Sequence, residues 1–139
     1  MVTGSARYPG AAVLSATAAA RANTGMVRYL GPQRAQDMVL SSLPEAVIGK
    51  GRVQSWVVGS GVPTGDDEAA DTDIQRETIT ALLKHYALQE KTGSNDDARN
   101  ESALGMPPIV VDAGALDLLP GKVPAQVLSP RMSGSWPAC

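Results

Sequence analysis

Residues 53–59 of the chain read VQSWVVG, and the sequence runs straight on into SGVP at residues 60–63. A short apolar run that ends in a glycine-rich turn is typical of a strand buried on both faces of a parallel sheet. Residues 26–30 (MVRYL) and 108–112 (PIVVD) have the same form. Further short strand segments are predicted at residues 1–5, 44–48 and 125–129.

The segments between these strands favour helices. Residues 10–23 are rich in alanine, and residues 74–88 place apolar side chains at helical spacing. Shorter helices are predicted at residues 33–41 and 113–119, whereas residues 90–105 are polar without periodicity and predict a flexible surface insertion. Because strands and helices alternate, the sequence predicts an α/β fold with a mostly parallel sheet covered on both faces.

Length, net charge and cysteine content argue against several classes of protein. The 139 residues suit one domain, and 12 Lys+Arg against 14 Asp+Glu give a net charge of −2. Such a chain has no general attraction for nucleic acid or for an anionic membrane, so we expect neither as a partner. The single cysteine, Cys139, excludes an intrachain disulfide, and the apolar run at residues 10–20 is too short to span a membrane. These features favour a cytoplasmic protein.

Four predicted strand ends are candidate ligand contacts, because ligands of open α/β sheets bind at the carboxyl ends of the strands. They are the glycine-rich loop at residues 4–11, the turn at residues 59–61, the acid Asp112, and Arg131 after the last strand. Each has an ordinary structural explanation as well: a tight turn for either glycine loop, a helix N-cap for Asp112, and a solvated surface position for Arg131. His85 is the one histidine and is placed on a helix, so the sequence offers no Ser-His-Asp triad and no histidine-based metal site.

Taken in order, these strand ends resemble the motifs of the ADP-dependent NAD(P)H-hydrate dehydratases, members of the ribokinase-like superfamily. The resemblance is carried by GSARYPGAA at residues 4–12, ANTGMV at 22–27, VVGSGV at 57–62, PIVVDAGAL at 108–116 and LSPR at 128–131. It implies a ribokinase-like three-layer α/β/α sandwich, of which the chain holds a part.

The resemblance also implies a reaction. Hydrated NADH or NADPH, in its (S) form, loses water to become NAD(P)H again, while ADP is converted to AMP and phosphate with Mg²⁺ as cofactor. Ala11 and Gly61 would contact the hydrated nicotinamide nucleotide, Asp112 would lie near the reacting site, and Arg131 stands where the family has a substrate-contacting histidine. The implied substrate-binding residues are Tyr8, Gly10, Ala11, Gly59, Gly61, Asp112 and Arg131. We also expect a homo-oligomer, linked to an NAD(P)H-hydrate epimerase.

The sequence departs from the family in its last part. The family's T-P-H-x-G-E becomes SPRMSG at residues 129–134, and its G-T-G-D motif, which carries the catalytic aspartate, is missing. The resemblance therefore implies that residues 1–139 are one apparently truncated domain without its catalytic half, inactive by itself. Two alternatives stay open: a non-catalytic nucleotide-binding or interaction fragment, and a small-molecule kinase of the same superfamily. The loop at residues 8–11 argues against the kinase.

Overall fold

A computed structural model of the chain describes residues 1–66, 74–92 and 106–119. Its helices are α1 (Pro9–Arg21), α2 (Gln33–Ser42), α3 (Ile74–Thr92) and a 3₁₀ helix at Ala113–Leu118. Its strands are β1 (Arg28–Tyr29), β2 (Val47–Ile48), β3 (Trp56–Val58) and β4 (Ile109–Val111). The predicted alternation of helices with strands is confirmed, and the fold is α/β.

All the strand pairs are parallel among the residues that the structure describes. β1 pairs with β2, and β3 pairs with β4. The first residues of the chain lie between the two pairs. Val2 forms a parallel bridge with Val58, its N–H donates to the Val57 carbonyl at 2.9 Å, and the Leu30 N–H donates to the Met1 carbonyl at 3.0 Å. The predicted strand end at residues 1–5 is therefore the link between the two halves of a parallel arrangement.

The core consists of two clusters, and alternate residues along the strands contribute to one cluster or to the other. One cluster holds Tyr29 of β1 together with residues of α1 and α2, among them Ala16 and Val39. The other holds Val2 and Val58 together with α3 and the 3₁₀ helix. Successive side chains of a strand point to opposite faces, so each cluster lies on its own side of the strands.

The helix α1 follows from local sequence. Pro9 occupies its first turn, where a missing backbone N–H has no consequence, and the alanines that follow favour the helical backbone. Their small side chains also allow close packing, since Ala12 and Ala16 are completely buried. The helix ends before Asn23, whose φ of 63° is incompatible with a continued helix.

Several element bounds differ from prediction. β3 starts only at Trp56, because no strand among the described residues lies alongside residues 53–55. α3 continues to Thr92, so residues 90–92 are helical rather than part of a flexible insertion. The predicted short helix at residues 113–119 is a 3₁₀ helix. The rest of the predicted insertion (residues 93–105), the predicted strand at residues 125–129 and Arg131 lie outside the described residues.

None of the helices in the described part of the chain is both long enough and apolar enough to cross a membrane.

Candidate functional site

The first two strand-end loops touch each other at the carboxyl edge of the strands. The Gly4 N–H donates to the Ser60 carbonyl at 2.6 Å. A Cβ added to Gly61 would lie 2.3 Å from the Ala11 Cβ and 3.3 Å from the Tyr8 carbonyl oxygen. Gly61 also has a φ of +73°, which side-chain-bearing residues rarely adopt. The structure therefore brings Ala11 and Gly61 into contact, and it explains the glycine by packing between the loops as well as by its backbone conformation.

The first loop has a buried base and an exposed tip. Ser5 is fully buried, and its hydroxyl accepts a hydrogen bond from the Tyr8 N–H at 3.0 Å. Tyr8 is 46% exposed, and the guanidinium of Arg7 lies 5.5 Å from the centroid of its ring. A Cβ added to Gly10 would meet nothing within 4 Å, so the surface beside the start of α1 is open.

The second loop is joined to the end of β4. Gly59 has a φ of +105°, and a Cβ there would lie 1.9 Å from the Asp112 carbonyl oxygen. The Asp112 N–H donates to the Val58 carbonyl at 3.0 Å, and the Ser60 hydroxyl donates to a carboxylate oxygen of Asp112 at 2.7 Å. Asp112 occupies the N-cap position of the 3₁₀ helix, but its side chain makes no capping hydrogen bond. Its exposed carboxylate is therefore directed to the second loop and to solvent.

Gln75 is a contributor to this edge that the sequence reasoning missed. Its side chain is 1% exposed, and its amide nitrogen donates to the carbonyls of Thr3 (3.1 Å), Gly4 (3.0 Å) and Leu30 (3.1 Å). The available signal was its position, because Gln75 stands four residues before the buried Ile79 and thus on the apolar face of α3. A polar side chain on an apolar helix face has to find partners.

Arg76, the next residue, was missed as well. Its guanidinium donates to the carbonyls of Pro63 (2.7 Å) and Gly114 (3.2 Å), and it forms an ion pair with Asp117 at 3.2 Å. Asp117 in turn accepts a hydrogen bond from the Gly65 N–H at 2.6 Å. These contacts tie the far side of the second loop to α3 and to the 3₁₀ helix.

Six of the seven predicted substrate-binding residues lie along this carboxyl edge, namely Tyr8, Gly10, Ala11, Gly59, Gly61 and Asp112. The seventh, Arg131, is outside the described residues. His85 lies on a helix, as predicted, and it is exposed on α3. Within the described ranges, no group of three or more His, Cys, Asp or Glu side chains could hold a metal ion, so Asp112 stands without a preformed metal site.

A separate cavity of about 790 Å³ opens at the opposite, amino edge of the strands. Its lining includes Asn23, Arg28, Arg52 and Gln54. None of the six predicted substrate-binding residues borders it. The candidate site is therefore distinct from this cavity.

Comparison with known proteins agrees with the resemblance found in the motifs. The family model described as NAD(P)H-hydrate dehydratase matches residues 1–131. The chain is 49% identical over 76 residues to the bifunctional NAD(P)H-hydrate repair enzyme Nnr of Corynebacterium glutamicum, covering 51% of this chain and 13% of that protein. It is 41% identical over 103 residues to the enzyme of the same name from Mycobacterium tuberculosis, covering 63% of this chain and 21% of that protein.

The chain thus spans about a fifth or less of the length of these relatives. No solved structure matches it. The family match nevertheless covers nearly all of the sequence, including the three loops that meet at the carboxyl edge. On this evidence the chain belongs to the NAD(P)H-hydrate dehydratase family.

Proposed function

We propose that the chain forms the substrate-binding side of an enzyme that converts (S)-NAD(P)H-hydrate back to NAD(P)H. In the proposed reaction the hydroxyl of the hydrate takes a phosphoryl group from ADP, which leaves AMP. The carbon–oxygen bond then breaks with assistance from the nicotinamide nitrogen, a proton is lost, and phosphate departs. The names of the relatives, which are NAD(P)H-hydrate repair enzymes, support this assignment.

The observation that carries the proposal is the meeting of the loops at one edge. Ala11 and Gly61, which the family motifs single out as substrate contacts, pack against each other, and Asp112 is tied to the second loop through Ser60. The open space at Gly10 lies beside them, next to the start of α1. Backbone N–H groups and the positive end of a helix dipole favour phosphate or amide oxygens of a nucleotide there.

The phosphoryl donor and the metal are part of the proposal. Mg²⁺ is commonly held by one or two carboxylates together with substrate phosphates, and Asp112 offers an exposed carboxylate at this edge. Asp112 fits the role of a single ligand, and the phosphates of ADP would supply the others. When bound, the metal would neutralise charge on the transferred phosphoryl group. The part of the proposal that this chain can test by itself is the binding of the hydrate.

Isothermal titration with hydrated NADPH, in the presence and absence of Mg²⁺ and ADP, tests the proposal. We expect the hydrate to bind, and ADP to leave its affinity unchanged. A chain that does not bind the hydrate would overturn the proposed substrate site, whether or not it binds ADP. Binding of intact NADPH as tightly as of its hydrate would instead favour the non-catalytic nucleotide-binding alternative.

A matched pair of variants localises the ligand. Gly10→Leu adds a side chain in open space beside the loops, so the fold should tolerate it while the hydrate loses at least about tenfold in affinity. Ala18→Leu adds a similar bulk to an exposed position two turns further along α1 and should leave the affinity unchanged. Equal affinities for the two variants would remove the first loop from the site. Gly61→Val is a poor test, because its side chain would collide with Ala11 whether or not a ligand is present.

The remaining expectations form part of the same proposal. The separation of the core into a cluster with α1 and α2 and a cluster with α3 supports a ribokinase-like three-layer α/β/α sandwich. The word bifunctional in the names of the relatives supports a link to a second repair activity, the NAD(P)H-hydrate epimerase. We also propose a homo-oligomer in the cytoplasm. Sedimentation velocity over a range of concentrations tests the oligomer.

A further inference from the structure

The side-chain amide of Gln75 is the point at which α3 meets the strand ends. Its nitrogen lies within 3.1 Å of three carbonyl oxygens, two from the first strand segment (Thr3 and Gly4) and one from the end of β1 (Leu30). The side-chain amide has two N–H protons and three acceptors, so at least one N–H must donate to two carbonyl oxygens. A single buried side chain therefore ties together two adjacent strand ends just as they turn into loops.

An amide is suited to this place, and the obvious replacements are not. A methionine or leucine of similar volume offers no donor, which would leave carbonyl oxygens buried without that partner. A glutamate in its charged form accepts hydrogen bonds only, and it would face three oxygens that also only accept. A protonated glutamic acid keeps one O–H donor. Replacements of nearly the same shape as glutamine can therefore separate the effect of its N–H donors from the effect of its packing.

The same contacts lead directly to the candidate site. Gly4, whose carbonyl Gln75 holds, donates its N–H to the Ser60 carbonyl, and its Cα would lie 3.2 Å from a Cβ at Gly61. Gly61 in turn packs against Ala11. The path from Gln75 to the contact between the two loops therefore consists of one residue, Gly4.

We propose that Gln75 is a positioning residue of the substrate site, which fixes the first loop against the second so that Ala11 and Gly61 present their backbones to the ligand. This inference rests on the proposed function for the identity of the ligand. It concerns no contact between Gln75 and substrate, because the side chain is buried beneath the loops.

The test compares Gln75→Met and Gln75→Glu with Ile79→Val. Ile79 lies one turn along the same helix face and is fully buried, so its variant loosens the core without touching the carbonyls. All measurements are made at a temperature at which circular dichroism shows each variant folded. The first readout is the affinity for hydrated NADPH, and the second is hydrogen exchange at the amides of Gly4 and Tyr8.

We expect Gln75→Met to lose at least about tenfold in affinity and to exchange the Gly4 amide faster, while Ile79→Val keeps both properties near the wild type. For Gln75→Glu we expect a pH profile. Affinity and Gly4 protection, each taken relative to the wild type at the same pH, should be closest to normal near pH 5 and fall as the buried carboxyl ionises. A residue that only stabilises the fold would give no such profile under folded conditions.

Two results would contradict the proposals. Wild-type affinity and wild-type exchange in both Gln75 variants would overturn the positioning role. If the wild-type chain does not bind the hydrate, the proposed function fails. In that case hydrogen exchange still decides the inference, because unchanged protection of Gly4 and Tyr8 would refute it and faster exchange confined to that loop would support it.

Discussion

At the scale of single residues, the Thr3 side chain places a hydroxyl in the core where it adds little to stability. It is completely buried, and its hydroxyl has no hydrogen-bond partner among the residues that the structure describes. Its carbonyl, by contrast, accepts a hydrogen bond from the Tyr29 hydroxyl at 2.8 Å and another from Gln75. The side chain and the backbone of one residue therefore have opposite roles.

Thr3→Val should leave the stability of the chain unchanged or raise it by about 1 kcal/mol, because a methyl group of the same shape replaces an unsatisfied hydroxyl. Urea unfolding followed by circular dichroism measures the change. Ser5→Ala is the control. Ser5 is equally buried but accepts a hydrogen bond from the Tyr8 N–H, so its loss should lower stability by about 1 kcal/mol. A clear loss of stability in Thr3→Val would mean that the hydroxyl has a partner.

The sequence predicted that Gly61 and Asp112 follow strands, but it did not predict what surrounds them. The motifs singled out Ala11 and Gly61, yet nothing local indicates that the two touch, because their contact joins positions far apart in the sequence. Gln75 was missed for the same reason, since its three acceptors are 45 to 72 residues away along the chain. Long-range hydrogen bonds leave no periodic signal in a sequence.

At the scale of elements, helix faces were predictable and strand bounds were not. The apolar spacing of residues 74–88 predicts which side of α3 is buried. Ile79 and Leu83 confirm it, whereas Ile74 at the start of the helix is 58% exposed. Strand length depends instead on whether a neighbouring strand lies alongside. β3 therefore keeps only Trp56–Val58 of the predicted seven-residue run at positions 53–59.

The start of α3 is held by Arg76, whose guanidinium pairs with Asp117 and donates to the Pro63 and Gly114 carbonyls. Arg76→Met keeps much of the packing of the side chain but removes every donor, so we expect a loss of about 2 kcal/mol in the free energy of unfolding. Urea unfolding measures it. Arg76→Lys, which retains a charge but not the planar fork, should recover only part of the loss. Full recovery by lysine would show that charge alone matters.

The middle of α3 contacts the segment before β4 through Tyr86, whose hydroxyl donates to the Pro107 carbonyl. Burial raises the pKa of the Tyr86 phenol above its ordinary value of 10.0. The folded state therefore favours the protonated phenol, and this contribution to stability is present below pH 10 and is lost as the pH rises through the folded pKa.

Urea unfolding at pH 8 and pH 11 tests this linkage. The wild type should lose more stability between the two pH values than Tyr86→Phe does, because the variant has no phenol to ionise at this position. At pH 8 the variant itself should be less stable by about 1 kcal/mol, through loss of the hydrogen bond. An identical alkaline loss in both proteins would assign the effect to other groups.

At the scale of the whole molecule, the first residues of the chain join the two strand pairs. Val2 is completely buried in the cluster of α3, its backbone bonds to β3, and Met1 beside it accepts a hydrogen bond from Leu30 at the end of β1. The sequence predicted a strand end here. It gave no sign that this segment lies between the two pairs, since strand order is set by tertiary packing rather than by local pattern.

Val2→Ala should therefore destabilise both halves of the molecule together. Removing two buried methyl groups should lower the free energy of unfolding by about 2 kcal/mol. Val110→Ala makes the same chemical change at a side chain that is 59% exposed and should stay within about 0.5 kcal/mol of the wild type.

In a Trp136→Phe background, Trp56 fluorescence reports on the cluster of α3 and circular dichroism reports on all the helices. Both signals should shift to the same lower urea midpoint in Val2→Ala, because the segment that the variant weakens belongs to both halves of the sheet. A shift of the fluorescence midpoint alone would mean that the two clusters unfold independently and that the first residues do not couple them.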